Sequence, residues 1–413
     1  MPDTGMKRTS ELGSVALRKR SSRLSLSLSG TNLERAGDYN LRTVLQAIRL
    51  GGETTRVDLA QQTGLTAPTI ANITGRLAEM GLIKSAGRRI GGRGQPAMRL
   101  VIDPDGAFAI GLTIDRDHLT LVTLDLAGEV RSRITREIAF ALPQDVIAFV
   151  DDELDRAVTE GGVDRDRVLG LGVAIPDEIG TIAGSGRPAA YDVWHDTDVV
   201  AMLEDNVPWP VHVDNDAAAA ALGEAQCGTV FEHPSFFYLL ISVGLGGGPV
   251  FDRTYHRGAT HRSGEIGLMP DPGAGIPGAV VQDTVSLSAL RGRLDAAGFP
   301  DCGIDQLVDG MDGEQAVIDA WLHDCTRALA APLVAINCLI NPDAILIGGR
   351  LPMPLIERLS AGLTAALHDI KLPSRAKILP AVMAEDAPAI GAAILPFLDH
   401  VLPSDAILIQ AGR

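Results

Sequence analysis

Residues 38–80 constrain the chain more than any other stretch, because their apolar spacing fits three short helices separated by two glycine stops. Leu41, Val44, Leu45, Ile48 and Leu50 lie on one helical face that ends at Gly51-Gly52. Thr55 is placed to cap a second helix, with Asp58 at its third position and Leu59 and Ala60 turned inward. Gly64 stops that helix, since the residue past a helix end often takes the left-handed conformation that glycine tolerates. Thr66 caps a third helix, with Pro68 in the first turn, where a missing N–H costs nothing. Ile70, Ile73, Leu77 and Met80 form its inward stripe, and Thr69, Asn72 and Arg76 fall on or beside the opposite face. A short helix, a glycine turn and a second helix with small polar residues at its start make a helix-turn-helix. Residues 81–84 and 98–102 read as two strands joined by a basic, glycine-rich tip at 88–95, the wing of a winged helix.

Charge says what such a module would touch. The chain has a net charge of −16, yet residues 1–100 carry 16 Lys and Arg against 7 Asp and Glu, and the remainder carries 20 against 45. The basic quarter suits a polyanion and the acidic remainder would be repelled by one. Double-stranded DNA is therefore the expected partner. Thr66, Ala67, Thr69 and Asn72 would reach base edges, Arg76 would lie nearer the backbone, and Arg88, Arg89 and Arg93 would line the wing. Residues 1–37 are rich in Ser and Arg without apolar periodicity and read as a disordered basic arm ahead of a winged helix over 38–102. No run of about 18 apolar residues signals a membrane span, and no apolar core with a cleavage site signals secretion. Four widely spaced cysteines argue against a disulfide framework or a Cys-rich zinc site, so a cytoplasmic location is expected.

After Asp103-Pro104 the texture becomes that of an α/β domain. Residues 107–114, 119–126 and 129–140 read as a three-stranded meander, followed by a helix at 144–160, a strand at 168–175, a short strand at 211–213 and a small-residue helix from 217. A second cycle opens at 236–243, includes a strand near 249–251, and ends in helices and a strand at 344–347. Two similar cycles suggest a duplicated fold with a ligand cleft between lobes. Trp194 and His195 lie on a loop that reads as ordinary packing beside that cleft.

Five ordered segments carry a resemblance. They are Ile110-Gly111-Leu112-Thr113-Ile114, Val211-His212-Val213-Asp214-Asn215-Asp216-Ala217, Ile241-Ser242-Val243-Gly244-Leu245-Gly246-Gly247-Gly248, Gly264-Glu265-Ile266-Gly267, and Ile340-Asn341-Pro342-Asp343-Ala344-Ile345-Leu346-Ile347-Gly348-Gly349. Over residues 38–400 the chain resembles ROK proteins (repressor, open reading frame, kinase), and its winged helix resembles the xylose and N-acetylglucosamine repressor branch. The resemblance implies an actin-like, ribonuclease-H-type fold of two lobes, the first over 103–235 plus a C-terminal helix at 388–400 and the second over 236–387. It implies that Asn215, Asp216 and Glu265 contact sugar hydroxyls, Asp216 standing where kinases hold the general base, and that Gln282 stands where a further sugar-binding Glu is expected.

The departures are as informative. Where family kinases carry Asp-x-Gly-Gly-Thr, this chain reads Thr113-Ile114-Asp115-Arg116-Asp117, so bulk and two carboxylates oppose ATP phosphates. The glycines at 244–248 and 348–349 read as tight turns of a retained fold. The family's sugar- and zinc-binding histidine is Leu268, and the segment 271–280 that should hold zinc-binding cysteines has none, so no Cys/His zinc site can be built there. No cofactor is expected. The chain reads as a non-enzymatic transcriptional repressor of carbohydrate or polyol genes, a dimer or tetramer that senses a small sugar or polyol. The alternatives are a sugar kinase with an accessory DNA-binding domain and a regulator governed by a protein partner.

Overall fold

The computed structural model describes residues 33–88, 97–177, 179, 188–228, 232–300, 306–309 and 312–404. The winged helix opens with α1 (Leu33–Gly51), five residues ahead of the expected boundary, so the end of the segment expected to be a disordered arm is helical; the rest of that arm lies outside the described residues. After β1 (Thr54–Thr55) comes α2 (Arg56–Thr63), whose capping box forms as expected. The Asp58 N–H donates to Thr55 Oγ1 at 3.3 Å while the Thr55 N–H donates to Asp58 Oδ2 at 3.2 Å. Gly64 closes it at φ 70°. In α3 (Ala67–Glu79) Thr66 is the cap and Ile70, Ile73 and Leu77 are buried. Met80 corrects the expected stripe. It is the residue that ends the helix and is 52% exposed, because the chain turns away at Gly81 (φ 72°) before another apolar contact can form. Strands β2 (Ile83–Arg88) and β3 (Met98–Ile102) form the wing, and β1 joins them in a sheet of order β1-β3-β2.

The remainder is two five-stranded sheets of the same design. The first contains β4 (Phe108–Ile114), β5 (His118–Asp125), β6 (Val130–Glu137), β7 (Val168–Ile175) and β8 (Val211–Asn215), with α4 (Pro143–Glu160), α5 (Val199–Glu204) and α6 (Asp216–Cys227). Its order is β6-β5-β4-β7-β8, the meander antiparallel and the last two strands parallel to β4. The second contains β9 (Phe236–Ile241), β10 (Leu245–Phe251), β11 (Thr254–Tyr255), β12 (Ala344–Gly349) and β13 (Lys377–Pro380). Its helices are α7 (Leu287–Ala296), α8 (Gln306–Asp309), α9 (Asp312–Leu339) and α10 (Met353–Ala366), and its order β11-β10-β9-β12-β13 repeats the same senses. Helix α11 (Ala387–His400) then returns to pack on the first sheet. This is the duplicated, actin-like α/β architecture.

Two departures from the sequence reading concern the glycines. The stretch 244–248 is not a loop throughout, since β10 begins at Leu245. A β-carbon on Gly246 or Gly248 would sit 2.7 Å from the methyl of Ala217 or Ala221, so bare backbone there lets α6 lie against the second sheet.

The winged helix is not tethered loosely. Val44, Leu45 and Ile48 of α1 are fully buried in one cluster with Val122 and Leu124 of β5 and with Ile390, Ile394 and Phe397 of α11. Each such side chain contributes about 1.5–3 kcal/mol of burial. Two arginines of α1 then meet helix C-termini. The Arg42 guanidinium donates to the Asp399 carbonyl at 2.8 Å and the Leu398 carbonyl at 3.2 Å, at the end of α11. Arg49 donates to the Gln226 carbonyl at 3.1 Å, in the last turn of α6, and to the Leu126 carbonyl at 3.0 Å. Cations suit these positions because the last carbonyls of a helix lack partners and carry partial negative charge.

Candidate functional site

On the winged helix, α3 presents Thr66, Ala67, Asn72 and Arg76 to solvent, with Thr69 half-buried beside them. The Thr66 and Thr69 hydroxyls are 2.9 Å apart, and the Thr69 N–H donates to Thr66 Oγ1 at 3.4 Å, which orders the start of the helix. The opposite face is locked by Ile70, Ile73 and Leu77 and by Thr74, whose hydroxyl accepts from Arg56 Nε at 2.9 Å. Arg88 ends β2, while Arg89 and Arg93 lie outside the described residues. Part of the basic charge of this module is engaged within the protein. Besides Arg42 and Arg49, Lys84 pairs with Asp103 at 3.0 Å and Arg99 with Glu53 at 2.6 Å.

Between the two lobes, Asn215, Asp216, Glu265 and Gln282 all line one cleft, together with Arg116, Asp177, Ser242, Gly244 and Leu268. Asn215 ends β8 and caps α6, its Oδ1 accepting from the Ala218 N–H at 3.0 Å. Asn215, not Asp216, is therefore the cap of α6. Asp216 is the first residue of α6 and its Oδ1 accepts from the Ala217 N–H at 2.8 Å. Burial, and next the Asp115 carboxylate, push its pKa up to about 7, against the pull of the Ala217 N–H and Arg116. Glu265 is exposed at the mouth, just before the short helical turn Ile266–Leu268, and Gln282 sits in the turn Val281–Asp283. Two carboxyls and two amides facing one space offer donors and acceptors suited to a polyol.

At the segment that replaces the glycine loop of family kinases, the two lobes are tied by ion pairs. Asp117, after β4, meets Arg291 of α7 and Arg350, next to Gly349, each at 3.1 Å, and His118 Nδ1 at 2.8 Å. Arg350 also pairs with Glu137. Burial alone would raise Asp117, yet the hydrogen bond to His118 and the charges of His118, Arg350 and Arg291 hold it well below the usual carboxylate range. Gly348 and Gly349 serve packing, since side chains there would overlap Tyr238 and the Ile241 carbonyl.

The segment 271–280 does not offer a zinc donor set. It is held instead by Asp271, which accepts from Thr284 Oγ1 at 2.8 Å and from Arg327 Nη1 at 2.9 Å. Trp194 belongs to the first lobe's core, its indole N–H donating to the Ala141 carbonyl at 2.9 Å, and His195 is exposed and away from the cleft lining. Arg116 and Asp177 were missed as cleft residues. For Arg116 the signal was present, a cation replacing a phosphate-loop glycine.

The model of the ROK family matches residues 109–397, and a model described as winged helix-turn-helix DNA-binding matches residues 38–84. The chain is 27% identical over 368 residues to the uncharacterized protein y4fQ of Sinorhizobium fredii, covering 87% of this chain and 90% of that one. It is 21% identical over 339 residues to the DNA-binding transcriptional dual regulator NagC of Escherichia coli, covering 78% and 82%. It is 23% identical over 233 residues to the xylose repressor of Bacillus subtilis, covering 56% of this chain and 60% of that one. Among solved structures, a ROK family transcriptional regulator homologous to the Escherichia coli Mlc protein superposes with a TM-score of 0.65 at 22% identity, covering 91% of this chain and 99% of that one.

Proposed function

The chain belongs to the ROK family, and from that premise we propose that it is a DNA-binding transcriptional repressor whose interlobe cleft senses a sugar-like polyol without phosphorylating it. One observation carries the reading. The winged helix shares its core with the cleft-bearing lobe, and helix α6 runs from one site to the other. Its first residues are at the cleft, with Asn215 as cap and Asp216 next, and its last turn accepts hydrogen bonds from Arg49. Gln46 adds a second link, donating to Gln226 Oε1 at 2.8 Å. A ligand that shifts the start of α6 therefore shifts the seat of α1, and with it the placement of α3. Effector and operator then bias each other's affinity by the same factor.

On the DNA side, Thr66, Ala67, Thr69 and Asn72 read base edges, Arg76 meets the backbone, and Arg88, Arg89 and Arg93 serve the wing. One short recognition helix reads too few bases for genomic selectivity, so the protein acts as a two-fold oligomer on a pseudo-palindromic operator.

A sugar kinase with an accessory DNA-binding domain has one observation in its favour. Asp216, with its pKa pushed up to about 7, could take a proton from an attacking hydroxyl. Against it stands the interlobe ion-pair cluster of Asp117, Arg291 and Arg350 at the place where ATP phosphates would lie. A coupled ATP-consumption assay with a panel of sugars and polyols tests this. No turnover is expected, and phosphorylation that is lost in Asp216→Asn would transfer the case to the kinase.

A further inference from the structure

Two histidines and an aspartate, outside the cleft and outside residues 271–280, meet where β8 passes the end of α11. Glycines set that approach. A side chain on Gly111 or Gly172 would overlap the Ala389 or Ala392 carbonyl, and a β-carbon on Gly170 would lie 3.0 Å from Pro396 Cγ, so α11 runs directly over this face of the first sheet. His212 stands level with Gly172 in the parallel register of β7 and β8, and neighbours in register share a face, so its side chain leaves the sheet on the side of α11. The helix ends there with Asp399 and His400. One ring nitrogen of each histidine and one carboxylate oxygen of Asp399 lie within 4.8 Å of one another. His212 Nε2 is buried with no hydrogen-bond partner among the described residues, and His400 Nε2 stands 3.7 Å from Asp399 Oδ2, beyond a hydrogen bond. A buried nitrogen left without a partner is costly, and three donor atoms that converge without bonding one another leave room for an ion between them.

We propose that His212, Asp399 and His400 bind one divalent transition ion such as Zn²⁺, which ties the edge strand β8 to the end of α11. Two imidazoles and one carboxylate suit late first-row ions, whereas Mg²⁺ and Ca²⁺ take oxygen donors. Bound to one zinc at about 2.0–2.2 Å, the three atoms stand about 3.4 Å apart in a tetrahedron, and water fills the fourth position. The closure required is small. His212 is fixed on its strand, while the Asp399 and His400 side chains are 60% and 41% exposed at the helix end and turn inward by a change of rotamer. A helix C-terminus favours a cation, and the charge of the one already there, Arg42, is matched by Asp38 at 3.0 Å. The site also lies on the path between cleft and winged helix. β8 runs on from His212 to Asn215, the cap of α6, and the Asp399 carbonyl accepts from Arg42 of α1. A bound ion therefore stiffens the seat on which the winged helix rests.

The test is calorimetric titration of the reduced, metal-stripped full-length protein with Zn²⁺, Co²⁺ and Mg²⁺, with the visible absorption of bound Co²⁺ as a spectroscopic readout. One Zn²⁺ or Co²⁺ per chain should bind, Mg²⁺ should show no such site, and saturating Zn²⁺ should raise the melting temperature. His212→Gln and His400→Ala should each weaken Zn²⁺ binding about tenfold or more, remove the Co²⁺ band and erase the rise in melting temperature. His368→Ala, which alters another exposed histidine beside a carboxylate, should change none of these. His400 is at the surface, so His400→Ala keeps the test decisive if His212→Gln fails to fold. A wild-type chain without a Zn²⁺ site, Zn²⁺ bound no more tightly than Mg²⁺, or Zn²⁺ affinity unchanged by His400→Ala overturns the inference.

Discussion

Asp216 is where stability and sensing pull in opposite directions, and Asp216→Asn measures the difference. The unfolded side chain ionises near pH 3.8 and the folded one near 7. Between those values the native state holds a proton that the unfolded chain has lost. Native stability therefore falls as pH rises across this window, and the penalty is complete above pH 7. A shift of this size corresponds to about 4 kcal/mol. Asp216 is only half-buried, and solvent at the cleft reduces the effect to about 2 kcal/mol. Asparagine keeps the oxygen that accepts from the Ala217 N–H and removes the titration. Thermal or urea melts of wild type and variant should coincide near pH 4, diverge through pH 5 and 6, and reach a constant gap above pH 7 with the variant more stable, by a few degrees in melting temperature. A gap that does not change with pH, or a variant less stable at pH 8, would refute the reasoning.

Three further outcomes are expected. Asn72→Ala should lower discrimination between operator and random DNA by ~1–3 kcal/mol, as for loss of a bidentate base contact, read from competition binding. Arg93→Ala should weaken a preference for A·T pairs beside the half-sites, read from binding to fragments with altered flanks, because a narrow A·T groove concentrates negative potential. Arg49→Met keeps the apolar stem and removes the hydrogen bonds to the end of α6 and to the turn between β5 and β6; it should flatten the dependence of operator affinity on effector and cost about 1–3 kcal/mol in docking of the winged helix, read from operator titrations and urea melts.

Local chemistry made the winged helix legible. Thr55, Gly64 and Thr66 act through neighbours three or four residues away, so their spacing alone specifies the caps. Met80 misled because it continues the apolar spacing one step beyond the last residue that tertiary contacts retain. Gly246 and Gly248 read as part of a turn, since in sequence a bare backbone signals conformational freedom; here they serve the approach of α6, which is a contact between distant segments. Asn215, Asp216, Glu265 and Gln282 could be picked by motif, and they converge on one cleft. That Arg116 lines the cleft was hidden, because the adjacent Asp117 is taken by Arg291 and Arg350, cations that only the folded second lobe brings to it. Arg42 and Arg49 looked like charge available to DNA, yet their partners are carbonyls more than 70 residues away in the chain.

The most direct measurement is operator affinity by fluorescence anisotropy, with and without a sugar or polyol already shown by calorimetry to bind, in wild type, Asp216→Asn and Glu265→Gln. Coupling between cleft and winged helix predicts a change of about tenfold or more in wild-type operator affinity at saturating effector, a matching change in effector affinity when operator is bound, and weaker responses in both variants. An effector that saturates the wild-type cleft and leaves operator affinity unchanged would contradict it.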